Sequence, residues 1–557
     1  MKHTKRTGAA LLLAACLLTG GCAPAGTPDI PESTAQTAPS EPTQKSETGY
    51  ISTRSLEAAY GDADGIMLGT LPRGTWIEYI TDPDGRAAIL WDGQSVYLLD
   101  GQAQIVSDPA DIIPRHTLYV RTAVNLRDQD SRLLPALADR GTAVEVAGYD
   151  RLTETGEAHM YRVICGGEEG YIRPWYLTDQ EAEALSAVDA VHANRPDRYG
   201  GGGAADLDYH PREKGPIEGN DMPSECRTLY LVSWRLDEVD AYLEIAEKSG
   251  INAFVVDIVD GGSVGYAGDV MKAYCPTGAE AAHNTVEEYQ ASIRKLRDAG
   301  YYVIGRITTF NDIYFVQDHP EYAIADTSGK PRKLSGTYWP SPYCRDAWQY
   351  KVDLAVEAVE LMGFQEIQFD YVRFPDNTRK HEKAGTIDFR NTYGETKAQA
   401  VQRFLMYAAD NLHEHGAYVS ADVYGESAFA YVTAYGQYWP AISNVVDVIS
   451  GMPYPDHFGP EGEWRPWEHP YEMLLSWGKS AMSRQGETPT PAAVRTWIQA
   501  YNAIREPYNT YGPDEVYAQI RGLRDSGCTG GYMTWNARSS LDKYTRLIPA
   551  FAPPEGE

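Results

Sequence analysis

Three aspartates stand late in short apolar runs, and they are the side chains best placed for chemistry. Asp257, Asp370 and Asp422 are each the lone charge in a run that predicts a buried β-strand, and Pro375 ends the run that contains Asp370. Because side chains alternate along a strand, Asp370 should face away from its apolar neighbours. Carboxylates that meet at one end of several strands can serve as acid, base or nucleophile.

Cleavage of a glycosidic bond is the reaction that such a set suits. It needs one carboxyl group to protonate the departing oxygen and a second to attack the anomeric carbon, to stabilise it or to activate water. We expect Asp370 to be the nucleophile and Asp422 the acid/base, with Glu426 and Asp257 as substitutes. A single Asp in a buried strand is usually structural, so the hypothesis depends on convergence of these acids at one rim.

The surrounding pattern supplies a scaffold for that rim. From Thr228 onward, strand-like runs alternate with helical ones, which predicts a parallel sheet with crossover helices. Eight runs match the (β/α)8 TIM barrel, whose active sites lie at the C-terminal ends of the strands. The predicted strands are 229–234, 253–259, 302–308, 366–372, 418–424, 446–452, 496–501 and 531–535. The predicted helices include 236–248, 285–298, 348–362 and 397–413.

Aromatic and polar side chains near the predicted rim suit a sugar, whose C–H faces pack on rings while its hydroxyls need hydrogen-bond partners. We expect Trp339 and Trp535 to be platforms, and Arg306 and Asn536 to bind hydroxyls or to orient an acid; packing within loops is the alternative. The predicted substrate-binding residues are Arg306, Arg373, Trp339, Tyr424, Tyr454, Trp535 and Asn536.

The sequence predicts neither a metal nor a cofactor. Asp257 and Asp260 precede two glycines but lack the third ligand of a calcium loop. Motifs for metalloproteases, nucleotide binding, dinucleotides and serine hydrolases do not occur.

The first residues have the pattern of an export signal with a lipid attachment site. Basic residues precede an apolar stretch at 9–18 and then Cys22, in the order of a lipoprotein signal. Cys16 fits the lipid-attachment motif better but leaves a cramped apolar stretch, so we expect lipidation at Cys22. Residues 1–22 are then the signal peptide and 23–48 a disordered tether. The predicted location is the outer face of the bacterial cytoplasmic membrane.

Residues 49–110 and 115–179 contain short strand-like runs punctuated by Gly and Asp, as small β-barrels require. In the second set, Val124-Asn125-Leu126-Arg127 and Glu169-Gly170-Tyr171-Ile172 resemble the opening and closing motifs of the bacterial SH3 family, and 49–110 looks like a degenerate first copy. The resemblance implies cell-wall binding, with a spacer role as the alternative. Residues 180–224 are predicted to be a linker.

Residues 225–550 resemble a bacterial glycoside hydrolase-like domain family of unknown function, itself thought to be related to the α-amylase superfamily. The match rests on Val255-Val256-Asp257-Ile258, on Arg306-Ile307-Thr308-Thr309-Phe310, on Gln368-Phe369-Asp370-Tyr371-Val372-Arg373-Phe374-Pro375 and on Ser420-Ala421-Asp422-Val423-Tyr424-Gly425. The resemblance implies a barrel with a nucleophilic Asp ending its fourth strand and an acid ending its fifth. The amylase-like Arg two residues before the nucleophile is replaced here by Gln368.

Charge narrows the class of ligand. The 557 residues carry a net charge of −29, which argues against binding of nucleic acid or of bare anionic lipid. The sequence therefore predicts a surface-anchored glycoside hydrolase acting on peptidoglycan or another wall or extracellular polysaccharide. The alternatives are a carbohydrate-binding protein whose barrel has lost its chemistry, and an envelope scaffold. A carboxylate separation beyond ~10 Å would favour binding alone.

Overall fold

The computed structural model describes residues 45–99, 101–186 and 190–552, and it places an all-β region before a parallel barrel. The predicted signal peptide, Cys16, Cys22 and nearly all of the tether lie outside the described residues. Across the ranges that are described, no helix is both long enough and apolar enough to cross a membrane.

Two small β-domains follow one another in the all-β region. The strands of the first are β1 (Glu47–Ser52), β2 (Glu57–Gly61), β3 (Met67–Pro72), β4 (Trp76–Thr81), β5 (Ala87–Trp91), β6 (Gln94–Leu98) and β7 (Gln104–Val106). Those of the second are β8 (His116–Val120), β9 (Val124–Arg127), β10 (Leu133–Ala138), β11 (Ala143–Tyr149), β12 (Tyr161–Cys165), β13 (Glu168–Ile172) and β14 (Leu177–Thr178). The spatial orders β3-β2-β6-β5-β4-β1-β7 and β10-β9-β13-β12-β11-β8-β14 are the same topology used twice.

The two domains also share a turn, which supports the prediction that one is a copy of the other. Asp62 Oδ1 accepts hydrogen bonds from the backbone N–H groups two and four residues ahead, at 3.0 and 2.9 Å. Asp128 Oδ1 accepts the equivalent pair, both at 2.9 Å. The identity of these domains as SH3-like modules stays a prediction.

The predicted parallel barrel is confirmed in the C-terminal domain. Its strands are β15 (Cys226–Leu231), β16 (Ala253–Asp260), β19 (Tyr302–Thr308), β20 (Glu366–Asp370), β21 (Tyr418–Tyr424), β22 (Val448–Met452), β23 (Ala493–Val494), β24 (Thr496–Gln499) and β25 (Gly531–Trp535). Two short strands, β17 (Ser263–Tyr266) and β18 (Ala282–Asn284), extend the sheet beyond the end of β16. β23 and β24 are two halves of one interrupted strand: β23 pairs with β22 and β24 with β25, so the sheet is nearly closed.

Helices connect successive barrel strands. The described helices are α1 (Glu181–Ala184), α2 (Ala190–Ala193), α3 (Val239–Ser249), α4 (Asp269–Tyr274), α5 (Pro276–Glu280), α6 (Val286–Asp298), α7 (Ile313–Asp318), α8 (Arg345–Met362), α9 (Arg379–Lys383), α10 (Lys397–Glu414), α11 (Trp439–Ser443), α12 (Pro470–Gln485), α13 (Pro513–Ser526) and α14 (Leu541–Phe551). A capping box of Thr285 and Glu288 begins α6. Gly363, with φ of +79°, ends α8 in the left-handed conformation that glycine adopts without strain.

Alternation along β20 fills the barrel interior with polar side chains. Glu366, Gln368 and Asp370 share one face and rise from the bottom of the barrel to its rim, while Ile367 and Phe369 pack outward against the helices. Since the strands are parallel, the rim that carries Asp370 is the C-terminal rim.

The predicted linker packs on the barrel. The carbonyl of Gly201 accepts a hydrogen bond from the N–H of Ala398 at 2.9 Å. A Cβ at Gly201 would stand 1.9 Å from the carbonyl oxygen of Thr433, so only glycine fits there. This stretch is a strap over the end of α10 and the loop after β21.

The second β-domain is docked on the barrel through its predicted motif. Asn125 accepts a hydrogen bond from Arg345 of α8 at 2.9 Å, and Arg127 forms a buried ion pair with Asp410 of α10. Tyr176 donates to the same carboxylate at 2.9 Å. The residues that carried the SH3 resemblance therefore fix the domain to α8 and α10 in this structure.

Candidate active site

One buried arginine organises the rim. Arg306 of β19 donates from Nη1 to Asp257 at 2.6 Å and to Asp260 at 3.2 Å, and from Nη2 to Asp370 at 2.5 Å. Its Nε lies 3.9 Å from Asp422. β19 lies between β16 and β20 in the sheet, so a single guanidinium group reaches acids from both neighbouring strands. The structure thus brings the three predicted aspartates together and adds Asp260.

A β-bulge explains why Asp260 joins this group. Asp257 and Asp260 are three residues apart, which in a regular strand places their side chains on opposite faces. The pairing of β16 with β19 shifts register between Asp257 and Val259. The extra residue restores both carboxylates to the interior face. The sequence gives no sign of the bulge, so it suggests Asp260 only as part of an incomplete calcium loop and does not predict its place beside Arg306.

Each of the three predicted aspartates has a second anchor. Tyr230 of β15 donates its hydroxyl proton to Asp257, and the indole N–H of Trp497 in β24 donates to Asp422 at 2.7 Å. Asp370 Oδ1 accepts the N–H of Tyr371 at 2.6 Å. Tyr371 has φ of +50°, a costly left-handed conformation for a residue with a side chain, of the kind that concentrates at functional sites.

Four carboxylates around one guanidinium group cannot all be charged at low cost. Burial raises the pKa of Asp257 to about 7, against the lowering effect of Arg306. Burial, with the nearby charge of Asp370, raises the pKa of Asp422 well above its usual range. Burial lowers the pKa of Arg306, but the carboxylates outweigh it and raise that pKa overall. Burial therefore favours the protonated form of Asp257 and Asp422, the two deepest acids of the site.

Replacing Asp422 by Asn should stabilise the protein at alkaline pH. The raised pKa means that the folded chain keeps a proton which the unfolded chain releases, so stability falls as pH rises from the ordinary carboxyl range to the folded pKa. An amide oxygen can still accept from Trp497, and the ionisation is gone. We expect the melting temperature of Asp422→Asn to exceed that of the native chain at pH 8 by on the order of 2 °C or more.

Thermal unfolding of both proteins at pH 4 and pH 8 measures this. The two curves should differ much less at pH 4, because the unfolded native chain then still carries a substantial part of the proton that the folded chain keeps. A variant less stable than the native chain at pH 8 would show that a charged Asp422 contributes to the fold, contrary to the prediction.

Exposure separates Asp260 from the other three acids, of which Asp370 is the least buried. The side chain of Asp260 is 37% exposed and that of Asp370 is 8% exposed, whereas Asp422 is 0% exposed and Asp257 is buried. Asp370 and Asp422 contact the same guanidinium group, so the nearest oxygens lie within the ~9.5 Å that glycosidase carboxylates span. Asp422 meets that distance criterion but has no open path to a substrate in this conformation.

Arg373 and Tyr424 form the wall beside Asp370. Arg373 is buried, donates to the Tyr424 hydroxyl at 2.5 Å and to the Phe374 carbonyl at 3.0 Å, and lies over the Tyr424 ring at 4.2 Å. Its Nη1 is also 3.5 Å from Asp376. Arg373 thus fixes the loop after β20, and the half-buried Tyr424 is the member of this pair nearer to solvent.

Two predicted sugar contacts are corrected by the structure. Trp339 is 1% exposed and donates its indole N–H to the Leu334 carbonyl at 3.1 Å, so its ring belongs to the packing of the loop. Asn536 is buried, donates to the Ala500 carbonyl at 3.1 Å and accepts from the Ser540 N–H at 3.3 Å, which makes it a structural brace after β25.

The other predicted residues lie at different depths. Trp535 is half-buried with its ring 5.3 Å from the Arg306 guanidinium, and Tyr454 is buried with its ring 6.4 Å from that of Trp535. Glu426 accepts from the hydroxyls of Tyr431 and Tyr435 at 3.0 and 2.8 Å, apart from Arg306. Trp535 is therefore the predicted platform that the rim leaves accessible.

A metal has no obvious place among these acids. In the ranges the structure describes, no three His, Cys, Asp or Glu side chains form a group that could hold a metal ion.

Comparisons with solved structures show low similarity. A hypothetical protein from Ruminiclostridium thermocellum is 33% identical over 35% of this chain and 97% of its own, with a TM-score of 0.30. A chitobiase from Flavobacterium johnsoniae is 12% identical over 59% of this chain and 48% of its own, so this chain spans about half its length; the TM-score is 0.42. A maltogenic α-amylase from Thermotoga neapolitana is 10% identical over 50% and 60%, with a TM-score of 0.32. No curated protein matches the chain.

A sequence model assigns the barrel domain to a family. The family described as "Putative glycosyl hydrolase domain" matches residues 228–541, which is more than half of the 557 residues and includes all four acids on Arg306. The chain therefore belongs to this family of glycosyl hydrolase-like domains.

Proposed function

We propose that this protein is a surface-anchored glycoside hydrolase that cleaves a wall or extracellular polysaccharide with two carboxylates at the C-terminal rim of its barrel. The observation that carries the proposal is the convergence of Asp260, Asp370 and Trp535 beside one guanidinium group at the rim. Two acids and an aromatic ring are what hydrolysis of a glycosidic bond needs from a protein.

Asp370 is the nucleophile in this proposal. An Asp carboxylate can attack an anomeric carbon, and Arg306 Nη2 holds Oδ2 of Asp370 in place with a hydrogen bond of 2.5 Å. The hydrogen bond from the Tyr371 N–H fixes the orientation of its other oxygen. Arg306 takes the part that the amylase-like pattern gives to an Arg two residues before the nucleophile, and it comes from the neighbouring strand instead.

The second carboxylate gives its proton to the departing oxygen. Burial raises the pKa of Asp422, the residue expected from the sequence, but the same burial leaves its side chain 0% exposed. Hydrolysis through Asp422 requires a rearrangement that exposes this carboxylate, which is 0% exposed and accepts from the Trp497 indole at 2.7 Å. The acids that contact Arg306 therefore differ in their access to a substrate. The second catalytic carboxylate, which acts together with Asp370, is one of these acids.

The proposals for the membrane anchor and for the class of substrate rest on the sequence. The expected lipid at Cys22 and the tether hold the body at the outer face of the cytoplasmic membrane, where wall polysaccharides lie within reach. The net charge of −29 favours a neutral polymer over an anionic one.

The test is release of reducing ends from purified wall fractions and from a panel of neutral and acidic polysaccharides. We expect release from at least one neutral polymer by the chain lacking its signal peptide, and none by heat-denatured protein. A complete absence of release across the panel would remove the proposal.

The burial of Asp422 specifically favours a second candidate, a barrel that binds saccharides without cleaving them. Retention of the same polymers on a column of the immobilised chain, with no reducing ends released, would establish that function instead.

A further inference from the structure

We propose that Asp260 is the second catalytic carboxylate, the group that exchanges a proton with the glycosidic oxygen. This assignment rests on the proposed hydrolase function and deepens it, because it replaces the buried Asp422 by an acid that a substrate can touch.

Access singles out Asp260 among the acids on Arg306. It is the most exposed of the four, and it contacts Nη1 of the guanidinium group while Asp370 contacts Nη2. A saccharide that lies over this group can touch Asp260 and Asp370 at once. Asp257 and Asp422 are more deeply buried: Asp257 accepts from Tyr230 and Arg306 and acts as a positioning residue for Arg306, and Asp422 accepts from Trp497.

The end of β16 holds Asp260 rigidly, as a catalytic group requires. Asp260 and Ser263 are paired at the turn between β16 and β17. Gly261 has φ of +56°, and its N–H donates to Thr308 Oγ1 of β19 at 2.8 Å. The chain immediately after Asp260 is thereby fixed to the strand that carries Arg306.

Asp260 lies beside a second acid of the site. Asp257 and Asp260 both accept from Nη1 of Arg306, at 2.6 and 3.2 Å, and the charge of Asp260 is one of the effects that raise the pKa of Asp257. Arg306 therefore fixes the position of Asp260 relative to both Asp257 and Asp370.

The chemical step balances with these two acids alone. The Asp260 carboxylic acid gives its proton to the glycosidic oxygen, and the bond from that oxygen to C1 breaks with its electron pair on the oxygen. Asp370 forms a bond to C1 in its place. In the second half, the Asp260 carboxylate takes a proton from water, and the water oxygen displaces Asp370 from C1, which regenerates both groups.

Leaving-group dependence tests the assignment. Asp260→Asn should lower kcat/KM for a polymer substrate by ~10²–10⁴-fold, because its leaving group needs a proton. For a nitrophenyl glycoside of the same sugar, the loss in kcat/KM should be at least ~10-fold smaller, because kcat/KM reports the first half of the reaction and a nitrophenolate leaves there without a proton. Asp269→Asn, a change at an exposed acid in the following helix α4, is the matched control and should behave as the native chain on both substrates.

Thermal unfolding of Asp260→Asn should match that of the native chain, since Asp260 is the most exposed of the four acids. An unchanged kcat/KM for both substrates, or equal losses in kcat/KM on both, would overturn the assignment. The assignment would also be wrong if Asp422→Asn lost more activity on the polymer than on the aryl glycoside and Asp260→Asn did not. If the native chain turned over no substrate, the hydrolase function itself would be wrong. If the native chain were active and Asp260→Asn equally active, only the assignment of Asp260 would be wrong.

Discussion

Turnover by the Asp370→Asn variant is expected to fall by at least ~10³-fold while the barrel stays folded. An amide cannot attack an anomeric carbon, so the covalent step is lost for polymer and aryl glycoside alike. Asp370 accepts from Arg306 Nη2 and from the Tyr371 N–H with different oxygens, and the single amide oxygen of Asn can keep one of these two contacts. Arg306 also keeps its hydrogen bonds to Asp257 and Asp260.

Initial rates of reducing-end release measure the effect, with circular dichroism and melting temperature as the test of folding. Asp388→Asn is the matched control, because it makes the same chemical change at an exposed acid in the loop after β20, away from Arg306. We expect native rates from the control. Near-native rates from a folded Asp370→Asn variant would exclude Asp370 as nucleophile.

The pattern of losses distinguishes the roles. Asp370→Asn should be inactive on both substrates, whereas Asp260→Asn should be impaired chiefly on the one with the poor leaving group. A protein that binds saccharides without cleaving them gives neither result, since its native chain already releases nothing.

Strand position was predictable from the sequence because it depends on local pattern. The predicted strands 302–308, 418–424 and 531–535 have the same bounds in the structure, and their apolar alternation records a buried strand directly. The interrupted seventh strand was predicted only from Thr496, because the short β23 has no alternation of its own.

The candidate site was predictable in part. Convergence of Asp257, Asp370 and Asp422 follows from parallel strands that end at one rim. Contacts across strands do not follow, since they depend on register: neither the bulge that turns Asp260 inward nor the reach of Arg306 to both neighbours has a sequence signal. The sequence also does not predict the burial of Trp339, because the exposure of a loop residue depends on how the loop packs against the rest of the fold.

A buried ion pair at the bottom of the barrel also depends on the register of the strands and has no sequence signal. Arg495, at the break between β23 and β24, donates from Nη1 to both oxygens of Glu366, at 2.8 and 3.0 Å. Both side chains are buried, and the Tyr302 hydroxyl donates to the same carboxylate at 3.1 Å. The pair therefore supports the barrel at the point where the sheet closes.

Arg495→Met should destabilise the protein by ~3–5 kcal/mol, because it leaves the carboxylate of Glu366 buried without a cation. The loss should be smaller at pH 5 than at pH 8, since an unpaired buried carboxylate takes up a proton more readily than the paired one. Denaturant unfolding at the two pH values measures both effects.

The double variant Glu366→Gln, Arg495→Met separates the buried charge from the lost packing. It should recover much of the stability at pH 8, because no charge is then left buried and Gln can still accept from the Tyr302 hydroxyl. Arg546→Met removes an arginine from the solvent-exposed pair with Asp542 on α14 and should cost under ~1 kcal/mol. If Arg495→Met cost no more than Arg546→Met, closure of the barrel would rest on its backbone pairing and apolar packing rather than on this ion pair.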